Sequence, residues 1–187
     1  MFENLKKSLI LTVLTIILFG IIYPLFIFAI GQLTPDKSIG SPVIVNNKTV
    51  GFENIGQSFT DDKYFWGRPS AVNYNAASTG GSNKGPTNPD YLAEVNARID
   101  SFVVHNPGIN KNDIPSDLVT ASGSGIDPHI SPQGAFIQIS RVAKARNLNA
   151  EDLKTLVTNN IEKPYLGLLG IERVNVLKIN LALDNLK

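Results

Sequence analysis

Residues 9–30 read LILTVLTIILFGIIYPLFIFAI, and sixteen of these 22 positions are Leu, Ile, Val or Phe. No charge interrupts residues 8–35. A bilayer core of about 30 Å needs roughly 20 helical residues, so the run is long enough to span with some tilt. Each large apolar residue favours insertion by roughly 0.3–0.6 kcal/mol near a helix centre, which Gly20, Pro24, Thr12 and Thr15 reduce without reversing. The stretch is read as membrane-embedded, and everything downstream as what it anchors. Pro24 should cost the helix one backbone bond, because its ring collides with the carbonyl of Gly20 and it has no N–H. At helical spacing Thr12, Thr15, Phe19 and Tyr23 share a stripe. Tyr23 lies only about 5 Å from the middle of the run at 1.5 Å per residue, too deep for an interfacial aromatic. Its hydroxyl calls for a packed partner helix or a snorkelling path.

Charge decides the side. Lys6, Lys7 and the α-amino group precede the run, whereas Asp36 and Lys37 follow it. The positive-inside bias therefore puts the N-terminus in the cytoplasm and the remainder outside. A cleaved signal peptide is the rival reading, because Ala29-Ile30-Gly31 has the small-x-small form of a cleavage site. The apolar run exceeds the roughly 7–15 residues of a secretory core, which favours an anchor. The expected organisation is a cytoplasmic tip at 1–7, a transmembrane helix at 8–33, a linker at 34–41 and an extracytoplasmic domain at 42–187. The expected location is a plasma (inner) membrane, with the chain crossing once.

Beyond the run, residues 36–187 are 152 in number, enough for one domain with a core. With Lys6, Lys7 and Glu3 set aside, fifteen basic and fifteen acidic residues remain. That balance gives no basic patch for nucleic acid or polybasic lipid binding. The absence of cysteine excludes disulfides, thiolate metal sites and Cys nucleophiles.

In chain order, residues 42–51 read as a hairpin turning at Asn46-Asn47. Residues 57–71 concentrate the only Trp, Trp66, with Phe59, Tyr64 and Phe65. Residues 72–88 are a long Asn/Ser/Thr/Gly/Ala segment with one charge, Lys84. Asn88-Pro89-Asp90 opens a helix burying Leu92, Val95, Ile99, Phe102 and Val103, stopped by Asn106-Pro107-Gly108. Ser131-Pro132 starts a second, with Ala135, Phe136, Ile139, Val142 and Ala143 buried and Arg141, Lys144 and Arg146 on its exposed side. A third begins at Asn149 and buries Leu153, Leu156, Val157 and Ile161. Residues 173–179 alternate as a strand through Val174 and Val176, and 180–186 close with a helical turn. Three helices and scattered strands give the class α+β.

Ser122, Ser124, Asp127 and His129 are the residue types of a hydrolase triad. However, no Gly-x-Ser-x-Gly elbow is present, and His105 is the only other histidine. A tight turn whose Ser and Asp side chains bond nearby backbone is the plainer reading. Thr79-Gly80-Gly81-Ser82-Asn83 and Ser122-Gly123-Ser124-Gly125 could cradle phosphate through backbone N–H groups. Neither has the P-loop pattern, so turn loops are favoured. Two distant histidines and scattered acids indicate no metal site. Trp66 with Arg68 reads equally as a stacked interface pair or as a core Trp beside an Arg salt bridge.

At these residues a family resemblance enters. Tyr64-Phe65-Trp66-Gly67-Arg68-Pro69-Ser70-Ala71 resembles a block of the C subunit of Kdp-type potassium-transporting P-type ATPases. So do Thr79-Gly80-Gly81-Ser82-Asn83, residues 117–132 (DLVTASGSGIDPHISP), residues 141–148 (RVAKARNL), Val174-Asn175-Val176-Leu177 and Asn180-Leu181-Ala182-Leu183-Asp184. The likeness covers essentially the whole chain. The central loop departs by one residue, Thr79 standing between Ser78 and the Gly-Gly-Ser-Asn of the pattern.

The resemblance implies an accessory, non-catalytic subunit of a pump that takes up potassium at the expense of ATP. Its implied partners are a channel-like potassium-binding subunit, a P-type ATPase subunit phosphorylated on aspartate, and a very small helical subunit. Two family roles are implied: a catalytic chaperone raising ATP affinity, with a nucleotide site, and a stabilising cap over the channel-like subunit. A domain outside the cell cannot meet cytoplasmic ATP, so the charge bias favours the cap. The chain then carries no cofactor or metal of its own, potassium being the ion the complex moves. Trp66, Arg68, Pro69, Ser70, Gly80–Asn83, Ser122–Gly125, Asp127 and His129 would be docking or structural loops. Thr12, Thr15, Gly20, Tyr23 and Pro24 would pack in the membrane. A membrane-anchored serine hydrolase using Ser124, His129 and Asp127 is the alternative of a different class.

Overall fold

Pro24 leaves its mark on the backbone before any packing does. A computed structural model describes residues 2–34, 37 and 39–186 and divides into two units, Met1–Pro42 and Val43–Lys187. The linker expected at 34–41 falls partly outside the described residues. In the first unit one helix runs Phe2–Gly31, long and apolar enough to cross a membrane by length and composition. It comprises α1 (Phe2–Ile17), a π turn (Leu18–Ile22) and α2 (Tyr23–Gly31). With no N–H at Pro24, the ladder widens in the turn before it, and the Tyr23 N–H donates to the carbonyl of Leu18, five residues back. Nothing lies within 4 Å of where a Cβ on Gly20 would stand. The break expected at Pro24 is thus a wide turn, which re-phases Tyr23 relative to Thr12 and Thr15. The Thr15 hydroxyl donates to the Thr12 carbonyl at 2.9 Å, so this polar group is satisfied within its own helix.

The second unit opens with the hairpin β1 (Pro42–Val45) and β2 (Lys48–Phe52). Asn46 and Asn47 both take positive φ, 50° and 61°, the requirement of a two-residue type I′ turn. After the irregular segment comes α3 (Pro89–His105), where the Asn88 side chain accepts from the Tyr91 N–H at 3.0 Å. A second, three-stranded antiparallel sheet has the order β3 (His129–Ile130), β5 (Arg173–Asn175), β4 (Ile161–Glu162). Ile130 and Ile161 both register with Val174. Helices α4 (Pro132–Phe136) and α7 (Val176–Asp184) pack on its central strand, α6 (Ala150–Asn159) packs on both of them, and α5 (Ile139–Arg146) packs on α6. Ser131 caps α4 and Asn149 caps α6 through their side chains. Phe65, Phe102, Ile130, Ala135, Val142, Leu153, Val157, Val174, Ile179 and Leu183 form the core. An α+β domain after one apolar helix is what the pattern predicts.

Several expectations fail for physical reasons. The Ser131 helix breaks after Phe136, which leaves Phe136 at the surface, so that Gln138 turns fully inward. Arg141, expected on the solvent face, is 5% exposed. Leu92 is exposed because only the C-terminal end of α3, at Phe102, reaches the core. Ile161 leaves α6 to pair in β4. The strand expected through Val176 stops at Asn175, whose side chain accepts from the Lys178 N–H at 3.1 Å and starts α7.

Three of the buried polar side chains, Gln138, Arg141 and Asn180, share one task. After the turn at Asp61–Tyr64, Phe65 and Trp66 enter the interior with no strand beside them, and side chains supply the hydrogen bonds to residues 62–66. Asn180 accepts from the Phe65 N–H (2.8 Å) and donates to its carbonyl (2.9 Å). Gln138 does the same for Trp66 at 2.8 and 3.2 Å. Arg141 donates to the carbonyls of Asp62 (2.6 Å) and Tyr64 (3.0 Å), to Asn106 Oδ1 (3.1 Å) and to Gln138 Oε1 (2.6 Å). Its guanidinium also lies 4.1 Å over the Trp66 ring. Burial pushes the guanidinium down to about 10, against the pull of Asp62 and Asp61.

Removing the charge while keeping the volume takes the donor from the Asp62 and Tyr64 carbonyls and from Asn106 Oδ1, whereas Gln138 Oε1 keeps the Trp66 N–H. Arg141→Met should destabilise the full-length protein by about 3–5 kcal/mol. Exposed Lys144→Met should stay within about 0.5 kcal/mol of wild type. Denaturant unfolding in detergent reads both, and equal effects would refute the buried role of Arg141.

Candidate functional site

Three loops carry the residues that the sequence singles out, and the fold brings them together. The Arg68 guanidinium meets Asp127 at 3.1 Å, while its buried Nε has no hydrogen-bond partner among the described residues. Pro69 accepts from the Ser122 N–H at 3.4 Å. The Ser70 hydroxyl donates to the Gly125 carbonyl and accepts from the N–H groups of Val72 (3.2 Å) and Tyr74 (2.8 Å). Tyr74 in turn donates its hydroxyl to the Arg68 carbonyl. Burial raises that hydroxyl to about 12, with Asp127 adding to the shift and Arg68 opposing it.

The two Gly/Ser loops stack on each other. The Gly80 N–H donates to the Ser124 carbonyl at 2.9 Å. A Cβ on Gly81 would stand 3.2 Å from the Gly123 carbonyl oxygen. Gly125 has φ +72°, and a Cβ there would stand 2.5 Å from Val72 and 2.7 Å from the Gly80 carbonyl oxygen. Ser122 accepts from the Gly125 N–H (2.9 Å) and Ser124 from the Ile126 N–H (3.2 Å). These amides serve the turn itself, the plainer of the two sequence readings. Ser82 is half-buried beside them, and Asn83 is exposed with φ 54°.

His129 sits between two carboxylates. Its Nδ1 is 3.4 Å from Asp127 and its Nε2 is 3.5 Å from Glu162. Both ring nitrogens therefore face acids, and no hydrogen bond joins a described serine to the ring. Ser124 is turned to the Ile126 N–H instead, so the triad arrangement is not assembled. Glu162 continues the chain of charge to Arg173 (3.0 Å) and Lys178 (3.2 Å), and Lys178 also pairs with Glu53. Burial alone would raise both carboxyls, but His129 and Arg68 hold Asp127 below its ordinary value, and Arg173 and Lys178 hold Glu162 down. Among the described residues no group of three or more His, Asp or Glu could hold a metal.

Trp66 is half-buried against the core, and its cationic neighbour is Arg141 and not Arg68. Its ring meets Phe102 edge-on with centroids 6.4 Å apart and His105 at 5.0 Å, and its indole N–H donates to the Asp61 carbonyl at 3.0 Å. Sequence reading missed Gln138, Arg141, Asn180 and Glu162. A signal existed for two of them, since Gln138 follows Ala135 by three and Asn180 precedes Leu183 by three on buried stripes. A cleft of about 550 Å³ lies elsewhere, lined by His105, Asn106, Ile109, Ile137 and Lys144.

Carboxyls held below their ordinary values contribute stability above those values and lose it as pH falls through the folded ones. The domain should therefore be equally stable to denaturant at pH 7 and pH 5, then weaken below about pH 4. The pair Asp127→Asn with Glu162→Gln should flatten that acid limb. An unchanged limb in the pair would place the acid sensitivity elsewhere.

Comparison with known proteins matches the sequence to a family. The profile of the K+-transporting ATPase c chain, KdpC, matches residues 5–185. A protein of Flavobacterium psychrophilum named potassium-transporting ATPase KdpC subunit is 55% identical over 185 residues, covering 99% of this chain and all of the relative. Proteins of the same name from Bacteroides fragilis and Caldanaerobacter subterraneus are 48% and 47% identical, over 99% and 97% of this chain and 98% and 94% of theirs. With that agreement running from the apolar helix to the last one, the chain belongs to the KdpC family of K+-transporting ATPase c chains.

Proposed function

We propose that this chain is the accessory subunit of an ATP-driven potassium uptake pump. The helix Phe2–Gly31 holds it in the plasma membrane, and the α+β domain stabilises the assembled complex from outside the cell. The observation that carries the reading is the full-length likeness to KdpC subunits, helix included. Lys6 and Lys7 ahead of the apolar run support a cytoplasmic N-terminus. The domain then caps the channel-like potassium-binding subunit, with the P-type and small helical subunits in the same assembly. Gly20, Tyr23 and the wide turn at Pro24 give the helix a recognisable face for a neighbouring helix. The loops at Arg68, Gly80–Asn83 and Ser122–Asp127 act as the frame that holds the docking surface, a reading supported by the Arg68–Asp127 pair and the Gly80–Ser124 backbone bond that tie them together. The other family role, raising the ATP affinity of the P-type subunit, requires contact with cytoplasmic nucleotide. The same charge bias opposes that contact.

Native thiols are absent, so one introduced cysteine reports the side of the membrane. Gly85→Cys is suited to this, because nothing lies within 4 Å of its Cβ position. An impermeant maleimide should label this variant in intact cells. A tag on the chain should also retrieve the channel-like and P-type subunits. Labelling only after permeabilisation would reverse the orientation and sink the capping role, and retrieval of neither subunit would sink the assembly role.

A further inference from the structure

Between β4 and β5 the chain makes a hairpin, residues 164–171, PYLGLLGI, without a single charge. Its large side chains point away from the domain: Tyr165 is 72% exposed, Leu166 77%, Leu168 85%, Leu169 65% and Ile171 78%. These values exceed those of most side chains on the membrane helix, such as Leu9 at 64%. A soluble surface rarely gathers so much apolar area unless something covers it.

The hairpin is built, not slack. Tyr165 and Leu169 exchange backbone hydrogen bonds at 2.9 and 3.0 Å, and the N–H groups of Gly167 and Leu168 donate back to Pro164 (2.9 Å) and Tyr165 (3.1 Å). Gly167 and Gly170 take φ +71° and +104°, and Leu166 takes φ 54°, a conformation that leucine rarely adopts. Strain of this kind persists where the surroundings or a function demand it. With these amides paired inside the turn, the tip can enter an apolar environment without stranding them.

We propose that this hairpin is a plug that seats in an apolar socket on the extracytoplasmic surface of a membrane-embedded partner subunit. The proposal rests on the reading of the chain as a subunit of a membrane complex. Charge argues against a lipid surface as the occupant. The base carries Glu162 and Glu172 against Lys163 and Arg173, so it offers no net positive charge to anionic headgroups. Area argues against a second copy, because eight residues fall far below the roughly 20–30 per side of a stable dimer. A small contact suffices for a subunit already held in the same membrane, where the effective concentration of its neighbour is high. A fixed, strained shape also matches a pocket of fixed shape, the condition under which preorganisation raises affinity.

The test uses the full chain co-expressed with the other subunits. The double variant Leu166→Asp, Leu168→Asp should cut partner subunits retrieved through its tag at least tenfold, while the thermal unfolding of the purified full-length chain stays unchanged. Retrieval equal to wild type would overturn the plug while leaving the subunit reading intact. Failure of the wild type itself to retrieve partners would overturn both. A Leu168→Cys variant carrying a photoactivatable maleimide should cross-link to a partner subunit. An adduct with lipid alone, or with a second copy of the chain, would overturn the proposal.

Discussion

Burying Phe65 obliges the domain to bury the peptide groups on either side of it, and no strand lies alongside to receive them. An unpaired N–H or C=O in that position costs about 1–3 kcal/mol. The chain meets the demand with side chains: the Asn180 and Gln138 amides each present a donor and an acceptor to one residue, as a neighbouring strand would. Arg141 gathers two more carbonyls and lies over the Trp66 ring. A lysine could not replace it, because a point charge neither forks between two carbonyls nor stacks on a ring. Helix α5 is held to one rotation by this arrangement, and α7 to another, before any apolar contact is counted.

The arrangement extends outward along the chain. Arg141 bonds Asn106, whose own Nδ2 donates to the Phe102 carbonyl at 2.9 Å, so the end of α3 is tied to the same network. Trp66 packs between that helix end and Arg141. Two residues on, Arg68 leaves the interior to meet Asp127, and Ser70 clasps Gly125. The Gly/Ser loops are therefore positioned by the interior network, and their backbone groups answer one another. Within these loops the Ser122 and Ser124 hydroxyls accept from the Gly125 and Ile126 N–H groups, and the Gly80 N–H donates to the Ser124 carbonyl.

Signals that act over a few residues were legible in the sequence. Asn88, Ser131 and Asn149 cap their helices as their positions predict, and Asn46-Asn47 turns the first hairpin. The apolar run gives its helix, and Pro24 gives its disturbance, although whether the backbone breaks or widens is settled by the turn that precedes it. What depends on partners far along the chain was not legible. Arg141 belongs by type and spacing with Lys144 and Arg146, and only the carbonyls of Asp62 and Tyr64, more than seventy residues earlier, bring it inside. Strands β3 and β4 hold two residues each, too short for any alternation to register. Val174 and Val176 do alternate, but Asn175 between them caps a helix, and three residues of strand leave too little pattern to weigh against that cap.

Backbone strain separates the interior of the domain from the hairpin at 164–171. Eight described residues other than glycine take positive φ, and five of them are Asn, whose short polar side chain tolerates that region. Tyr74, at φ 57°, is held there by Ser70 on its N–H and by the Arg68 carbonyl on its hydroxyl. Leu166 has no comparable support: its side chain is exposed, and the hydrogen bonds around it close the turn without favouring leucine at that place. Asn or Gly would relieve the conformation at no cost to the core. A strained residue that contributes nothing to its own domain is best accounted for by a surface that receives it, and an apolar side chain requires that surface to be apolar as well.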